Sequence, residues 1–374
     1  MDDVIAWRRH LHACPELGFG EHETAAFVAA RLRDFGLEVT EGIGGTGVVA
    51  SLRRGGNRAI GLRADMDALA ITEATGAAWA SRNPGRMHAC GHDGHTAALL
   101  GAARALASDA SFGGTVHFIF QPAEEHGRGM QAMLADGLLD RFPMDEAYGI
   151  HNMPGMALGC FATRPGPLMA AEDNFEIVVH GKGGHAARPH MVIDPILTGA
   201  AIVQALQQIV ARRLDPVDPA VVSITEFLTD GTRNVIPTTA RILGDCRSYR
   251  PDISAAIEAE MRRIASATAT AHGARAEVFY TREFIPTINH AEQTDAALSA
   301  AAGLFEHIDV DCPPLMGSED FAHLLTRVPG NFAFIGNGDG APLHNPGYDY
   351  ADAALPATVG YLVALARSRT AVSG

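Results

Sequence analysis

Apolar positions along the chain follow two spacings that alternate over the first 172 residues. Short β-branched and aromatic runs, GVVASL (47–52), AIGLRAD (59–65) and TVHFIFQ (115–121), predict buried strands. The segment HTAALLGAARALAS (95–108) lies between two of them and has the Ala/Leu-rich spacing of a helix. Alternating strands and helices predict an α/β fold class with a mostly parallel sheet, of the α/β/α sandwich kind.

Residues 173–286 show a different order of elements. The pattern predicts strands at 174–181, 221–228, 240–249 and 276–284 and helices at 195–213 and 252–272. This β-α-β-β-α-β order is typical of a small ferredoxin-like α+β sandwich. Beyond it, 287–374 returns to helix and strand alternation. We therefore predict a discontinuous larger domain, 1–172 and 287–374, with a smaller domain inserted at 173–286.

Composition and charge exclude several classes of protein. The 374 residues are 47% apolar and 19% charged, which is ordinary for a globular protein of two domains. No run approaches the roughly 18 apolar residues of a membrane span. The net charge of −14 argues against nucleic acid and anionic membranes as partners. Five scattered cysteines, and an N-terminus without the features of a signal peptide, predict a cytoplasmic protein.

The segment MHACGHDGH (87–95) concentrates a thiol, three imidazoles and a carboxylate in nine residues. It is compatible with a metal site, with a cysteine nucleophile and its base, or with a polar loop. Cys90 precedes the predicted helix, and a helix N-terminus favours a thiolate, so the nucleophile is physically reasonable. That hypothesis leaves the polar residues at other strand ends without a role.

Three further segments place metal-ligating residue types at strand ends or in loops: QPAEE (121–125), GIHNMP with His151, and LHNP with His344. Each alone is more typical of a solvated acidic turn or a hydrogen-bonded structural histidine. Together with the first segment they give one candidate ligand set: Cys90, His92, Glu125, His151 and His344. Thiolate, imidazole and carboxylate suit zinc, cobalt, nickel or manganese better than calcium or magnesium.

The segments also occur in an order that identifies a family. They are RRHLHACPELGF (8–19), RADMDAL (63–69), MHACGHDGH, QPAEE, GIHNMP, GKGGHAARPHMVIDPI (181–196), RNVIP (233–237), GSEDFA (317–322) and LHNPGYDY (343–350). In this order the chain resembles the metallo-amidohydrolases of the aminoacylase/carboxypeptidase superfamily. It is most similar to the branch of hippurate hydrolases, indoleacetyl-amino-acid hydrolases and bacterial N-acyl-amino-acid amidohydrolases. The resemblance covers nearly the whole chain.

The resemblance implies a catalytic domain with a binuclear metal centre and an inserted domain that acts as a lid and mediates dimerisation. It implies that the candidate ligand set binds the metals and that Glu124 is the general base. His185 would be a donor that reaches the site of a partner subunit. Asn234 and Arg247 would contact the substrate from the lid; a salt bridge on a strand is the alternative for Arg247.

One segment departs from the wider superfamily. Where those relatives usually have a His-x-Asp motif, this chain has Asp65-Met66-Asp67. Their ligand set therefore does not transfer, and Cys90 takes the place of a ligand. Asp67 and Asp93 are then expected to orient ligands by hydrogen bonding rather than to bind metal; a strand-end cap is the alternative for Asp67.

The resemblance predicts an enzyme that hydrolyses the amide bond of N-acyl amino acids with two divalent ions per subunit, whether zinc, manganese, nickel or cobalt. Its partners would be a small N-acyl amino acid and a second copy of the chain, as a homodimer or higher homo-oligomer. A metallo-dipeptidase or carboxypeptidase is the alternative within the enzymes. A non-catalytic metal- or peptide-binding protein on the same fold is the alternative outside them.

Overall fold

The computed structural model describes residues 1–109 and 112–371. Its strands are β1 Glu38–Ile43, β2 Gly47–Arg53, β3 Ala59–Asp65, β4 Thr115–Gln121, β5 Glu146–Met153, β6 Cys160–Ala162, β7 Gly166–Met169, β8 Ala171–His180, β9 Gly184–His185, β10 Ala220–Thr229, β11 Val235–Ile236, β12 Thr239–Ser248, β13 Arg275–Phe284, β14 Thr287–Asn289, β15 His307–Asp309 and β16 Gly330–Gly336. Its α-helices are α1 Asp2–Ala13, α2 His22–Asp34, α3 His92–Ala107, α4 Gly129–Ala135, α5 Leu138–Arg141, α6 Pro195–Leu206, α7 Gln208–Arg212, α8 Pro251–Ala271, α9 Ala291–Ala301, α10 Ala322–Leu325 and α11 Leu355–Arg369.

An eight-stranded mixed sheet has the order β1-β2-β4-β3-β5-β16-β6-β15. Its centre is parallel: β3 pairs in parallel with both β4 and β5, and β5 with β16. Nearly every residue of these four strands is buried, so both faces of the central sheet are covered. The predicted α/β class with a parallel-rich sheet is confirmed.

Helix α3 lies at the centre of the main hydrophobic core. It packs its Ala- and Leu-rich surface with residues of α2, α9 and α11 and of the central strands. A Cβ on Gly101 would lie 2.9 Å from Val359 and 3.0 Å from Val4, so this glycine permits the close approach of side chains from α11 and α1. Leu99 and Leu100 are fully buried, which stabilises the fold by roughly 1.5–3 kcal/mol for each side chain.

The edge strand β1 is absent from the sequence prediction. It pairs antiparallel with β2 across a tight turn. Only Ile43 of its six residues is buried, so the apolar pattern that reveals a strand is missing.

A second, four-stranded antiparallel sheet has the order β10-β12-β8-β13. Strand β8 buries every second residue, and the buried face packs with α6 and α8. The chain order β8-α6-β10-β12-α8-β13 is the predicted ferredoxin-like one. The helix expected over 195–213 is two helices, α6 and α7, with Gln207 between them. Asp194 caps α6 by accepting the amides of Ile196 and Leu197.

The chain folds as two compact units. Unit 1 consists of Met1–Leu168, Ile288–Pro313 and the chain from Asp320 on, and contains the eight-stranded sheet. Unit 2 consists of Met169–Thr287 and Pro314–Glu319, and contains the four-stranded sheet. In the part of the chain that is described, no helix combines the length and apolar character needed to cross a membrane.

Candidate metal centre

The carboxyl ends of three parallel strands bring polar residues to one edge of the large sheet. Asp65 ends β3, the turn with Glu124 and Glu125 follows β4, and His151 lies near the end of β5. Because β4, β3 and β5 are neighbours, these residues converge, as they do in other open α/β sheets. The loop before α3 adds Cys90, and α3 itself begins with His92.

His92 presents one ring nitrogen to this edge. Its Nδ1 lies 2.9 Å from the backbone oxygen of Asp67 and 3.1 Å from Asp67 Oδ1; since both are acceptors, Nδ1 carries the proton. The other nitrogen, Nε2, is buried and has no hydrogen-bond partner within residues 1–109 and 112–371. An imidazole held by an oxygen at one nitrogen and open at the other has the arrangement of a metal ligand.

The carboxylates around His92 attract a cation. Burial lowers the pKa of the ring, but Asp65, Asp67 and Glu125 outweigh it and raise that pKa to about 10. His92 Nε2 lies 3.8 Å from Asp65 Oδ2, and 4.0 Å from both Glu124 Oε2 and Glu125 Oε1. The carboxylates therefore favour a positive charge at this position. Without a metal, a second proton on the His92 ring supplies that charge.

Cys90 and His151 form a close pair. Cys90 Sγ lies 3.3 Å from His151 Nε2, while His151 Nδ1 donates to the backbone oxygen of Asn152 at 2.7 Å. Burial, reinforced by Glu125 and Glu124, raises the pKa of the thiol well above its usual value. Burial, followed by His95, lowers the pKa of His151 well below its usual value. The pair therefore holds a neutral thiol and a neutral imidazole, unlike the thiolate and imidazolium of an activated cysteine nucleophile.

Glu125 and His344 complete the candidate ligand set. The amide of Glu125 donates to Asp67 Oδ2 at 3.0 Å, and its Oε1 lies 3.4 Å from His344 Nε2. The neighbouring Glu125 carboxylate raises the pKa of His344. His344 has φ +62, and its own amide donates to the backbone oxygen of Ala89 at 2.8 Å. This unusual backbone conformation is thus tied to the loop that carries Cys90.

The donor atoms fit divalent cations. Several groups bring three ligand atoms within 4.8 Å of one another: Cys90, His92 and His151; Cys90, Glu125 and His344; and His92, Glu124 and Glu125. Cys90 belongs to two of these groups, which suits a pair of neighbouring ions. Glu125 Oε1 is, like His92 Nε2, buried without a hydrogen-bond partner among the described residues. Mixed sulfur, nitrogen and oxygen donors favour first-row transition metals.

Asp65 and His95 take part in the site and were not among the predicted site residues. His95 Nδ1 lies 2.7 Å from Asp65 Oδ1, and Arg63 Nη1 donates to Asp65 Oδ2 at 2.7 Å. Burial raises the pKa of Asp65, but His92, His95 and Arg63 hold it well below its usual value. The signal in the sequence for Asp65 is its position at the end of a buried strand, two residues before Asp67.

The helix start explains the place of His95. It was expected to open the helix at 95, whereas α3 begins at His92. Gly91 caps it with φ +93, and a Cβ there would lie 2.1 Å from Asn152 Oδ1. This glycine permits the sharp turn that brings Cys90 and His92 to the same site.

The two aspartates expected to orient ligands differ. Asp67 contacts both His92 and Glu125, as described above. Asp93 instead accepts from Arg8 Nε at 2.8 Å and from His12 Nδ1 at 2.9 Å. These bonds join Asp93 to α1, so any effect on His92 passes through the first turn of α3.

The three predicted lid residues belong to unit 2. His185 lies in β9, paired with Val235 of β11, and is exposed. Asn234 accepts from Thr232 Oγ1 at 3.1 Å. Arg247 forms ion pairs with Glu172 and Asp245 and donates to Ser318 Oγ. Their roles toward a substrate stay predictions.

Residues 61–368 match the family model described as Peptidase family M20/M25/M40. The chain belongs to this family. A hippurate hydrolase of Campylobacter jejuni is 40% identical over 362 residues, which cover 96% of this chain and 94% of that protein. Thermostable carboxypeptidase 2 of Saccharolobus solfataricus is 40% identical over 343 residues, 90% of this chain and 86% of that protein.

One solved structure of the M20 family gives a close comparison. The Bacillus subtilis YXEP protein, described as a dinuclear metal binding peptidase, is similar with a TM-score of 0.87 and 36% identity. The match covers 98% of this chain and 97% of that chain. The resemblance predicted from the ordered motifs is therefore confirmed.

Proposed function

We propose that this M20 family member is a metal-dependent amidohydrolase that releases a free amino acid from an N-acyl amino acid. The observation that carries the proposal is the buried His92 Nε2, which has no hydrogen-bond partner among the described residues and lies within 4.0 Å of oxygens of Glu124 and Glu125. The similarity to a hippurate hydrolase across 96% of the chain supports the same reaction. Hippurate is an N-acyl amino acid, and its hydrolysis requires an activated water.

The metal ligands in this proposal are Cys90, His92, Glu125, His151 and His344. Their donor atoms lie in the clusters described above, and the similarity to a dinuclear peptidase supports two ions. Divalent ions bound there would supply Lewis acidity at the amide carbonyl and a nucleophile from water at neutral pH. Asp67 orients His92 by accepting a hydrogen bond from the imidazole Nδ1, and it holds Glu125 by accepting one from the backbone amide of Glu125.

Glu124 acts as the general base. Its Oε1 accepts the amide of Asp320 at 3.3 Å, which orients the carboxylate, and its Oε2 lies beside His92 Nε2. The carboxylate takes a proton from the attacking water and passes it to the departing amine. Because Glu124 and Glu125 are adjacent in one tight turn, one can bind metal while the other moves the proton.

The lid residues complete the proposal from unit 2. His185 would stabilise the oxyanion in the site of a second subunit, and its exposed position supports this. Asn234 adds a polar contact to the substrate. Arg247 binds the substrate carboxylate by exchanging one of its present carboxylate partners, Glu172 or Asp245.

A homodimer through unit 2 belongs to this proposal. Apolar side chains are exposed on α6, with Leu197 61% accessible, and on the edge strand β10, with Leu228 at 42%. Light scattering should give a mass of two chains, and Leu197→Lys should shift the measured mass toward that of one chain. All five cysteines are free, which supports a reducing, cytoplasmic setting.

A substrate panel tests the reaction. The protein is stripped of metal, reconstituted with zinc, manganese, cobalt or nickel, and incubated with hippurate, N-acetyl amino acids and indoleacetyl amino acids. Chromatography then measures the amino acid released. We expect hydrolysis of at least one N-acyl amino acid, abolished by chelation. Faster cleavage of dipeptides with a free amino terminus would contradict the proposal.

A carboxypeptidase is the second candidate because of the 40% identity to a thermostable carboxypeptidase. N-blocked dipeptides separate the two activities. A carboxypeptidase removes the C-terminal residue from the blocked dipeptide and leaves a blocked single amino acid intact. The proposed amidohydrolase cleaves the blocked single amino acid.

A further inference from the structure

The residue directly before the proposed general base has a left-handed backbone. Ala123 has φ 50 and ψ 43, and Glu124 begins the single 3-10 turn that follows. The left-handed region is energetically unfavourable for alanine, because the alanine Cβ comes too close to the neighbouring carbonyl oxygen. Such a conformation persists where the surroundings hold it, and it often serves a functional site. The residues that hold Ala123 are therefore candidates for a role in catalysis.

Glu21 holds this backbone. The amide of Ala123 donates to Glu21 Oε1 at 2.8 Å, and Thr46 Oγ1 donates to Glu21 Oε2 at 2.5 Å. Glu21 has no solvent exposure. Burying a carboxyl group is costly, so a fully buried one that accepts the amide of Ala123 implies a strong requirement for that bond.

The turn is held from both sides of Glu124. On the far side, the amide of Glu125 donates to Asp67 Oδ2 at 3.0 Å. The amide of Gly129 closes the turn by donating to the backbone oxygen of Ala123 at 3.2 Å. Asp67 also serves His92, whereas the side chain of Glu21 bonds to the amide of Ala123 and to Thr46, and neither is a proposed ligand. Glu21 is thus the support that acts on the direction of Glu124 separately from the ligands.

We propose that Glu21 is a positioning residue for Glu124, because it keeps Ala123 in the left-handed conformation that aims the base. This inference rests on the proposed function. It predicts that losing the Glu21 acceptor lowers the rate of proton transfer while substrate and metal binding are kept.

The first test replaces Glu21 with an apolar side chain of similar length. We expect Glu21→Met to lower kcat on an N-acyl amino acid about tenfold or more, with KM and metal content close to wild type. Glu21→Gln keeps an oxygen facing the amide of Ala123 and should retain most of kcat. A wild-type kcat in Glu21→Met overturns the proposal.

Glu16 offers a matched control. It is another buried carboxylate that accepts backbone amides, those of Glu23 at 3.2 Å and Thr24 at 2.8 Å, at the start of α2. Glu16→Met should lower the melting temperature and leave kcat within about twofold of wild type. An equal loss of kcat in the Glu16 and Glu21 variants would show a merely structural role and overturn the proposal.

A second substitution tests the mechanism directly. Glycine adopts positive φ readily, so adding Ala123→Gly to Glu21→Met should raise kcat at least threefold above that of Glu21→Met alone. If the effects of the two substitutions on the activation free energy simply add in the double variant, the proposal is contradicted. If Glu21→Met does not fold, Thr46→Val removes the other donor to the carboxylate; it should cause a smaller loss that Ala123→Gly again relieves.

Hydrogen exchange separates this proposal from the proposed function. In Glu21→Met the amide of Glu125 should lose protection although its acceptor, Asp67, is intact, and Ala123→Gly should restore it. This readout requires no turnover. Unchanged protection of Glu125 overturns the role of Glu21, whereas an inactive wild-type enzyme with the expected exchange pattern would count against the proposed function alone.

Discussion

The two ends of strand β5 bury polar residues in opposite ways. Glu146 opens the strand, and its oxygens bond to partners that satisfy them: Arg58, Arg369, Tyr148 and Gln293. His151, near the other end, faces Cys90, and the surrounding cluster keeps His92 Nε2 and Glu125 Oε1 without hydrogen-bond partners in the described chain. At the first end arginines and neutral donors occupy the carboxylate oxygens of Glu146. At the second end ligand atoms stay available for a cation.

Electrostatics at the two ends agree with this difference. At the first end burial raises the pKa of Glu146, but hydrogen bonds from Arg369, Tyr148 and Gln293 outweigh it and lower that pKa to about 2. At the second end carboxylates raise the pKa of His92 to about 10, and burial, reinforced by Glu125 and Glu124, raises that of Cys90 well above normal. A divalent ion would replace these protons, since metal binding deprotonates its ligands.

The largest expected effect is on turnover at the second end. Glu124→Gln removes the proposed base but none of the proposed ligands, so kcat should fall by about 10³-fold, within the range for general bases. Metal content, measured by mass spectrometry, should stay at the wild-type level. A variant that keeps wild-type kcat on N-acyl amino acids would show that Glu124 is not the base.

Cys90→Ser should act on the metal instead. Serine is a harder and much less acidic ligand than cysteine, so we expect metal affinity to fall at least tenfold, with activity partly recovered at high metal concentration. Titration with zinc or cobalt measures this. Full occupancy together with abolished activity would support the alternative of a thiol nucleophile.

The smallest expected effect on turnover is at the first end. Glu146→Gln should leave kcat and metal content at wild-type values and reduce stability. The pKa of Glu146 is lowered from 4.5 to about 2 on folding. Its contribution to stability, on the order of 3 kcal/mol, is therefore fully present above pH 4.5 and is lost as the pH falls toward 2.

Urea unfolding of metal-free wild-type protein and Glu146→Gln tests this dependence. The difference in unfolding free energy between the two should be smaller at pH 3 than at pH 7. The same difference at both values, or a loss of kcat at neutral pH, would contradict the contrast between the two ends of β5.

The sequence predicts the strand-end residues well, because carboxyl ends of parallel strands must meet at one edge. QPAEE at the end of one buried strand and His151 near the end of another therefore indicated residues that lie together at one edge of the sheet although they are far apart in the chain. The ferredoxin-like order of unit 2 followed from the succession of strand and helix patterns along its sequence. These features depend on local periodicity, which a single sequence shows directly.

Features that depend on distant partners could not be predicted. The bond of Asp65 with His95 and that of Asp93 with Arg8 join residues that no local pattern links. The same holds for Glu21, whose partner amide is 102 positions away. Strand β1 was not predicted because only one of its residues is buried, which leaves no apolar pattern in the sequence.

Metal stoichiometry tests the central claim most directly. The protein is stripped by a chelator, dialysed and titrated with zinc or manganese, while metal content and amino acid release from N-acyl amino acids are measured together. The account predicts that activity is absent from the stripped protein and returns as about two ions bind per chain, and that His151→Ala and Glu125→Gln reduce this number. Full amide hydrolysis by the metal-free protein, or unchanged stoichiometry in both variants, would contradict it.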